Sequence, residues 1–406
     1  MARSRLAGLA CILSIGAAPL VAQGVAYRGG LWFDGSKFVP KTMYVVDGVF
    51  RTHAPARVDS VVDLAGGYVV PPFADAHQHL IDPRIDVTIR AQLADGIFYL
   101  KDQGSAPIIR RMIGPMLNKP TTFDYVGANQ AWTGPGGHPV EVVKRAAAAP
   151  GPFAAFVRDS LDPGIVMQVA SSADIEQRWA YFLAGKPDFV KIHLFRSEDY
   201  ARLRAEGVEG RYGMDPALAA EMVRRARAAG LEVSAHVYTE ADFRVAVSAG
   251  VQQIAHLPGG RGPDSVFMLT DADAREAARN HVTVVTTVVQ HEDSALLEHL
   301  LKTQYAHNIE ILRRRGVVLL IGSDLMGRTA RLEADALARS GLFTNLELLR
   351  MWSVTTPRAI FPARRIGELK DGYEASFLVL RGDPLRDFGA TRAIALRVKQ
   401  GVAISP

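Results

Sequence analysis

Cysteine is almost absent from this sequence: Cys11 is the only one in 406 residues. It lies in an N-terminal segment that we expect to be removed, so the mature chain would contain no thiol. This excludes structural disulfides and metal sites built on thiolates. Any bound metal must therefore be held by histidine, aspartate, glutamate or a modified lysine.

Long basic runs are also missing. The formal net charge is +5, from 47 basic and 42 acidic residues, and nothing in their distribution favours nucleic acid as a partner. The expected partner is a small-molecule substrate. The sequence leaves the oligomeric state open, a homo-oligomer included.

The first 23 residues have the pattern of a secretory signal peptide. Arg3 and Arg5 precede an apolar run, 6–22, that ends in small residues. We expect cleavage near Ala22 or Gln23, a periplasmic or secreted mature protein, and no membrane span after signal removal. A retained membrane anchor is the alternative, although the run contains two glycines and a proline and is short for a span.

Strand and helix signals alternate between residues 71 and 361. They make up about eight strand–helix units, which favours the α/β class and a (β/α)8 TIM barrel over an open sheet. Short strand patterns occupy 24–70 and 362–406, and neither end alone has enough strands to bury a face. We therefore predict a small β-sandwich domain formed by the N- and C-terminal segments together.

Two histidines end the first predicted strand of the barrel. Alternate side chains of a strand point to the same face, so His77 and His79 lie side by side. Two imidazoles on one face can hold a metal ion, and neutral imidazole suits zinc and its neighbours. Taken alone the pair is weak evidence, because many His-x-His pairs are simply solvated.

Four further side chains that could serve as metal ligands stand at other predicted strand ends: Lys191, His236, His256 and Asp324. Functional residues of a barrel lie at the C-terminal ends of its strands, so these side chains could meet in one mouth. Each has a plainer explanation by itself, such as a solvated histidine, a lysine that reaches solvent or a helix N-cap aspartate. Five strands that each deliver such a residue are far more specific than any one of them. His193 shares a face with Lys191, and we interpret it as a supporting or structural residue.

These motifs resemble the amidohydrolase superfamily, in particular its imidazolonepropionase-like and Xaa-Pro dipeptidase-like members. The matching segments are Asp75 to His79, Gly96 to Gly104, Gly136-Gly137-His138, His236 to Thr239 and Gly322-Ser323-Asp324. Two positions depart from the family pattern: Pro72 replaces the usual glycine, and Ser376 replaces the usual aspartate. Both lie outside the metal positions.

The resemblance implies a binuclear site with two divalent metal ions, zinc being the expected metal, and a CO2-derived carbamate on Lys191 that bridges them. The implied metal ligands are His77, His79, Lys191, His236, His256 and Asp324. A metal-activated hydroxide would attack the substrate, and Asp324 would carry its proton to the leaving group. His138 and Tyr238 would donate hydrogen bonds to the oxyanion or to a substrate carboxylate.

The expected function is a metal-dependent hydrolase of C–N bonds that acts on a dipeptide or an N-acyl amino acid. Thr239 stands three residues after His236, where the one-metal deaminases of the superfamily carry glutamate, which argues against deamination. A lactonase or esterase, a cyclic-amide hydrolase, and a metal-bearing binding protein without activity remain as alternatives. Three loop arginines are candidates for binding a substrate carboxylate: Arg196, Arg211 and Arg261.

Overall fold

The computed structural model describes residues 24–80, 84–148, 164–290 and 294–405. The predicted signal peptide, 1–23, lies outside the described residues, so its cleavage stays a prediction. No helix within the described ranges is long and apolar enough to cross a membrane.

Eighteen strands are present in the described part of the chain. They are β1 Gly24–Phe33, β2 Phe38–Val46, β3 Val49–Arg51, β4 Ser60–Asp63, β5 Tyr68–Val70, β6 Phe73–Gln78, β7 Ile97–Asp102, β8 Asp124–Gly127, β9 Ala131–Thr133, β10 Val166–Gln168, β11 Phe189–His193, β12 Glu232–His236, β13 Gln253–Ile254, β14 Thr283–Val285, β15 Val318–Leu320, β16 Phe377–Leu380, β17 Ile394–Lys399 and β18 Val402–Ala403.

The α-helices of the same ranges mostly stand between parallel strands. They are α1 Ile85–Ala94, α2 Pro107–Ile113, α3 Val140–Ala148, α4 Ser172–Ala184, α5 Tyr200–Glu206, α6 Ala219–Ala228, α7 Glu240–Ala249, α8 Asp271–Arg279, α9 Ser294–Lys302, α10 Gln304–Arg314, α11 Arg331–Ser340, α12 Asn345–Arg350 and α13 Thr356–Ile360. A π-helical turn, Met351–Thr355, joins α12 to α13.

Both ends of the chain contribute to one sheet of eight strands, in the order β18-β17-β16-β5-β1-β2-β3, with β4 also paired to β1. Phe50 of β3 and Phe377 of β16 are far apart in this order, yet their ring centroids are 5.8 Å apart. Trp32 lies 5.4 Å from Phe377 by the same measure. The strands form one continuous sheet, and its two ends pack against each other across an aromatic core.

The middle of the chain forms two parallel sheets, β6-β7-β8 and β10-β9-β11-β12-β13-β14-β15. Backbone hydrogen bonds connect the two sheets in two places. The Ala76 N–H of β6 donates to the Ile321 carbonyl, next to β15, at 2.9 Å, and the Asp188 N–H, next to β11, donates to the Gly127 carbonyl of β8 at 2.9 Å. This mixed α/β arrangement brings the carboxyl ends of its parallel strands to one edge, which is where ligand-binding residues gather in such folds.

The loops at that edge are tied down by buried polar side chains. Thr239 and Asp242 form a capping box at the start of α7, and the helix ends at Gly250 with φ 87°. The Asp242 carboxylate also accepts the backbone N–H groups of Ser197 at 2.8 Å and Tyr238 at 3.0 Å. One buried aspartate thus holds the segments that follow both β11 and β12.

Two segments are interrupted where their sequence alone favours a longer element. α9 and α10 are separate helices because Thr303 has φ −126° and ψ −98° and interrupts the helical path. β14 ends at Val285 although β-branched residues continue to Val289. The buried Glu333 carboxylate accepts the Thr286 hydroxyl at 2.5 Å and the Val288 N–H at 3.0 Å, so the chain turns away from the sheet despite its β-branched residues.

Candidate active site

The strand that carries the two histidines, β6, is buried along its whole length. Near its end the Asp75 carboxylate accepts the His77 N–H at 3.0 Å, the Ser323 N–H at 3.0 Å and the Ser323 hydroxyl at 2.7 Å. Burial raises the pKa of Asp75 to about 6, against the opposing effect of the bond from Ser323. These bonds fix the end of β6 against the loop that carries Asp324.

Three ligand atoms converge beside this loop. His77 Nε2 is 3.3 Å from His79 Nε2 and 3.2 Å from Asp324 Oδ1, and His79 Nε2 is 3.1 Å from the same oxygen. The Nδ1 atoms of His77 and His79 lie 2.9 Å from the carbonyl oxygens of Ala255 and Gly104, respectively. A carbonyl only accepts, so each Nδ1 carries the hydrogen and each neutral ring presents an Nε2 lone pair. Two lone pairs facing a carboxylate oxygen require a cation between them, and this donor set fits a divalent metal.

Asp324 is held in an uncommon conformation. Its φ is 53°, in the left-handed region, and its N–H donates to the His77 carbonyl at 2.8 Å. Burial alone would raise its pKa, but the electrostatic and hydrogen-bonding interactions with the adjacent His77 and His79 rings hold that pKa well below its usual value. The carboxylate is therefore ionised and aimed at the two imidazoles. Backbone strain of this kind persists where the surrounding structure enforces it.

Lys191 is fully buried on β11. Its Nζ donates to Gln103 Oε1 at 3.3 Å, and Gln103 is itself held by bonds to the Ala76 carbonyl and to Gln253 Oε1, both 3.0 Å long. Burial lowers the pKa of Lys191 to about 7, although Asp324 opposes the shift. A neutral amine is the form that reacts with CO2, so this environment suits the predicted carbamate.

His236 and His256 stand next to the first cluster. The His256 ring centroid is 4.5 Å from that of His77 and 4.5 Å from that of His236. His256 Nδ1 lies 3.0 Å from Thr287 Oγ1. Within the described residues, His236 Nε2 is buried and has no hydrogen-bond partner. A buried nitrogen without a hydrogen-bond partner lowers the stability of the fold. A bound ion or a substrate atom would supply the missing partner.

His193 was not among the predicted ligands, but the structure places it in the site. Donor atoms of His138, His193 and His236 lie within 4.8 Å of one another, and His193 Nδ1 is buried without a partner in the described part of the chain. His236 therefore has candidate co-ligands on two sides, His256 and His193. The sequence did contain a signal, because His193 follows Lys191 by two residues on the same face of a strand.

Glu141 was also missed. Its Oε1 lies 2.6 Å from His138 Nδ1, and its Oε2 is buried with no partner among the residues described. Burial would raise the pKa of Glu141, but the bond to His138 lowers it overall. The pair leaves only Nε2 of His138 for other contacts. The signal was the three-residue spacing at the start of α3, which brings two side chains onto one face.

Tyr238 forms part of an aromatic stack at the same edge. Its ring centroid is 4.6 Å from that of Phe195, with an interplanar angle of 13°. The Arg196 guanidinium lies 5.7 Å from the Tyr238 ring centroid. The predicted role of Tyr238 as a hydrogen-bond donor stays a prediction, since no bond from its hydroxyl is seen among the described residues.

A cavity of about 350 Å³ opens over these residues. All of the predicted site residues line it: His77, His79, His138, Lys191, His236, Tyr238, His256 and Asp324. The three candidate arginines, Arg196, Arg211 and Arg261, are not part of its described lining.

Residues 68–402 match the amidohydrolase family. The chain belongs to this family. The histidine clusters described above are able to bind the metal on which members of this family typically depend.

This amidohydrolase aligns with two curated relatives over only a part of each relative's length. A Mycobacterium tuberculosis protein described as uncharacterized is 40% identical over 82 residues, covering 17% of this chain and 13% of the relative. Ochratoxinase from Aspergillus niger is 24% identical over 162 residues, covering 38% of this chain and 33% of the relative.

Solved structures share the fold over nearly the whole amidohydrolase chain. The Aspergillus niger ochratoxinase structure has a TM-score of 0.71 at 16% identity and covers 95% of this chain and 96% of its own. A prolidase in complex with N-methylphosphonate-L-proline has a TM-score of 0.71 at 19% identity, with 94% and 99% covered. At these identities the likeness shows the fold alone.

Proposed function

We propose that this amidohydrolase is a secreted or periplasmic binuclear metallohydrolase that cleaves the amide bond of a small N-acyl compound, with N-acyl amino acids and dipeptides as the expected substrates. The observation that carries the proposal is the convergence of His77 Nε2, His79 Nε2 and Asp324 Oδ1 within 3.3 Å. Buried Lys191 lines the same cavity. The fold shared with a prolidase supports an amide substrate.

The proposed arrangement of the middle of the chain is a closed (β/α)8 barrel. Its support is the pair of backbone connections between the two parallel sheets, through Ala76 and Ile321 on one side and Asp188 and Gly127 on the other. Export is proposed from Arg3, Arg5 and the apolar run that follows them. The N-terminal mass of protein recovered from the periplasm or medium tests the second point, and an intact Met1 would contradict cleavage.

One ion would be held by His77, His79 and Asp324, and the other by His236 and His256. Lys191, as a carbamate, would contribute to both. Bound divalent ions polarise a carbonyl and lower the pKa of water toward neutrality. The residues fit this role because their free nitrogens and the Asp324 carboxylate are already oriented and need no large rearrangement.

The ionised Asp324 is the proposed proton carrier. It accepts a proton from the attacking water and delivers it to the leaving nitrogen, which must leave as a neutral amine. His138 Nδ1 is occupied by Glu141, so only Nε2 of His138 can meet substrate. In the proposed mechanism, a proton carried on Nε2 of His138 is donated in a hydrogen bond to the developing oxyanion beside Tyr238.

The test is amine and acid release from a panel of N-acyl amino acids, dipeptides and lactones, after reconstitution with zinc and bicarbonate. Lys191→Ala is the active-site variant. Its matched control is Lys37→Ala, at an exposed lysine in the turn between β1 and β2. Equal amounts of amine and acid, lost in Lys191→Ala and kept in the control, support amide hydrolysis.

Other outcomes separate the alternatives. Acid without amine would move the assignment to a lactonase or esterase. Full activity of Lys191→Ala with two metals bound would contradict the bridging role of the lysine. A metal-loaded protein that turned over no member of the panel would favour a binding protein without activity.

A further inference from the structure

The residues that line the cavity fall into two chemically different groups. The histidines, Lys191 and Asp324 form the polar group. The other group, here called the apolar wall, consists of Val142, Val143, Ala146, Ile165, Val166 and Met326; Val143, Ile165 and Val166 belong to one buried cluster, and Ala146 packs against it. Three of these residues come from a single helix, α3, whose opposite face carries exposed Lys144 and Arg145.

The apolar wall has no charged group to offer a ligand. In the described lining, the lysine and all the histidines belong to the polar group, and no arginine is present. A carboxylate pressed against such a surface would lose its hydration without gaining a partner, which is strongly unfavourable. An alkyl or aryl group would instead leave water for a preformed apolar surface.

We propose that one side of the scissile amide in the substrate is an uncharged alkyl or aryl group that packs against the apolar wall. This deepens the proposed function and rests on it, because it names the chemical class of one half of the substrate. The volume of about 350 Å³ lies at the small end of the range for small-molecule sites, so the group is of medium size. Any carboxylate on the other half points toward the mouth, where Arg196 lies against Tyr238.

The test compares matched ligands in two variants. Hexananilide and succinanilate have the same number of non-hydrogen atoms beyond the amide carbonyl, but the succinyl chain is shorter and ends in a carboxylate; N-hexanoyl-alanine is compared with N-succinyl-alanine in the same way. Calorimetry on metal-free protein measures binding, and product release from zinc-loaded protein measures turnover. Val142→Lys places a cation on the apolar wall, Val142→Thr keeps the shape with a hydroxyl, and Ala148→Lys adds the same cation at an exposed position of α3.

Wild-type protein is expected to bind the hexanoyl ligands at least about 100-fold more tightly than the succinyl ligands. Affinity should rise about fourfold for each methylene between butanoyl and hexanoyl. Val142→Lys should reduce the ratio of hexanoyl to succinyl affinity at least tenfold, and Val142→Thr should lower hexanoyl affinity severalfold. Ala148→Lys should change neither the ratio nor the hexanoyl affinity.

Failure of the inference and failure of the proposed function give different results. Equal turnover of hexanoyl and succinyl substrates would overturn the apolar assignment while amide hydrolysis stands. Selective binding of hexananilide that Val142→Lys abolishes, with no turnover of any amide, would overturn the hydrolase proposal and leave the apolar assignment standing. Loss of selectivity in Ala148→Lys to the same degree as in Val142→Lys would also overturn the assignment.

Discussion

Replacement of Lys191 by methionine should stabilise the metal-free protein at pH 7 even though it removes a residue needed for activity. Burial lowers the pKa of Lys191 from 10.5 to about 7. The unfolded chain therefore keeps a proton on this lysine up to about pH 10.5, whereas the folded protein releases it above about pH 7. Stability rises with pH wherever the unfolded state binds more protons, so wild-type protein gains stability across this window.

The size of the effect follows from the two pKa values. Each pH unit between them corresponds to about 1.4 kcal/mol, which makes the lysine cost about 4 kcal/mol at pH 7 and about 1 kcal/mol at pH 10. Methionine fills a similar volume without charge, but it leaves Gln103 Oε1 without its donor from Lys191, a penalty of about 1–3 kcal/mol. That penalty does not change with pH. The free energy of unfolding of the variant, relative to that of the wild type, should therefore fall by about 3 kcal/mol from pH 7 to pH 10.

Thermal unfolding of both proteins in chelator and CO2-depleted buffer measures this gap. An unfolding entropy of about 2.1 cal/mol/K per residue gives about 0.9 kcal/mol/K for 406 residues. The difference in Tm should therefore shrink by about 3–4 °C between pH 7 and pH 10. Lys37→Met, at an exposed position, should show no such trend. A Lys191→Met gap that stays constant within 1 °C would refute the assignment of a buried neutral amine.

Three further outcomes are expected. Glu141→Gln should lower kcat by about 10–100-fold, because His138 loses the carboxylate that accepts its Nδ1–H and orients its ring; Glu209→Gln should leave kcat unchanged. Asp324→Asn should lower bound zinc, measured by mass spectrometry, and reduce kcat at least about 1,000-fold, and an unchanged metal content would contradict its place as a ligand. Burial raises the pKa of Glu333 from 4.5 to about 7, so wild-type stability should fall by up to about 3 kcal/mol as pH rises through that window, a loss that Glu333→Gln should lack in paired Tm measurements.

Much of the candidate site could be predicted from the sequence because its residues mark the ends of strands. His77 and His79 share a face through the two-residue period of a strand, and Lys191, His236, His256 and Asp324 each follow an apolar run. Parallel strands bring such positions to one edge. The structure confirms that these side chains line one cavity. Their roles as metal ligands stay predictions.

Glu141 was not predicted, and His193 was interpreted only as a supporting or structural residue, because their contacts depend on three-dimensional neighbours. Glu141 follows His138 by three residues, but only the start of α3 at Val140 turns that spacing into a contact. His193 gains a possible role from the ring of His236, which belongs to another strand, 5.0 Å away. Pairings between residues distant in sequence have no local pattern from which to predict them.

The sequence by itself placed histidines, a lysine and an aspartate at the ends of strands through local periodicity. Its motifs indicated the family. The tertiary structure decided the rest. It aligned two Nε2 lone pairs with Asp324 through carbonyl groups of Ala255 and Gly104, and it lowered the pKa of Lys191 by burial. It also brought three residues of α3 into the apolar wall of the cavity that the polar residues line. Each of these depends on distance and desolvation, which arise only when remote segments pack together.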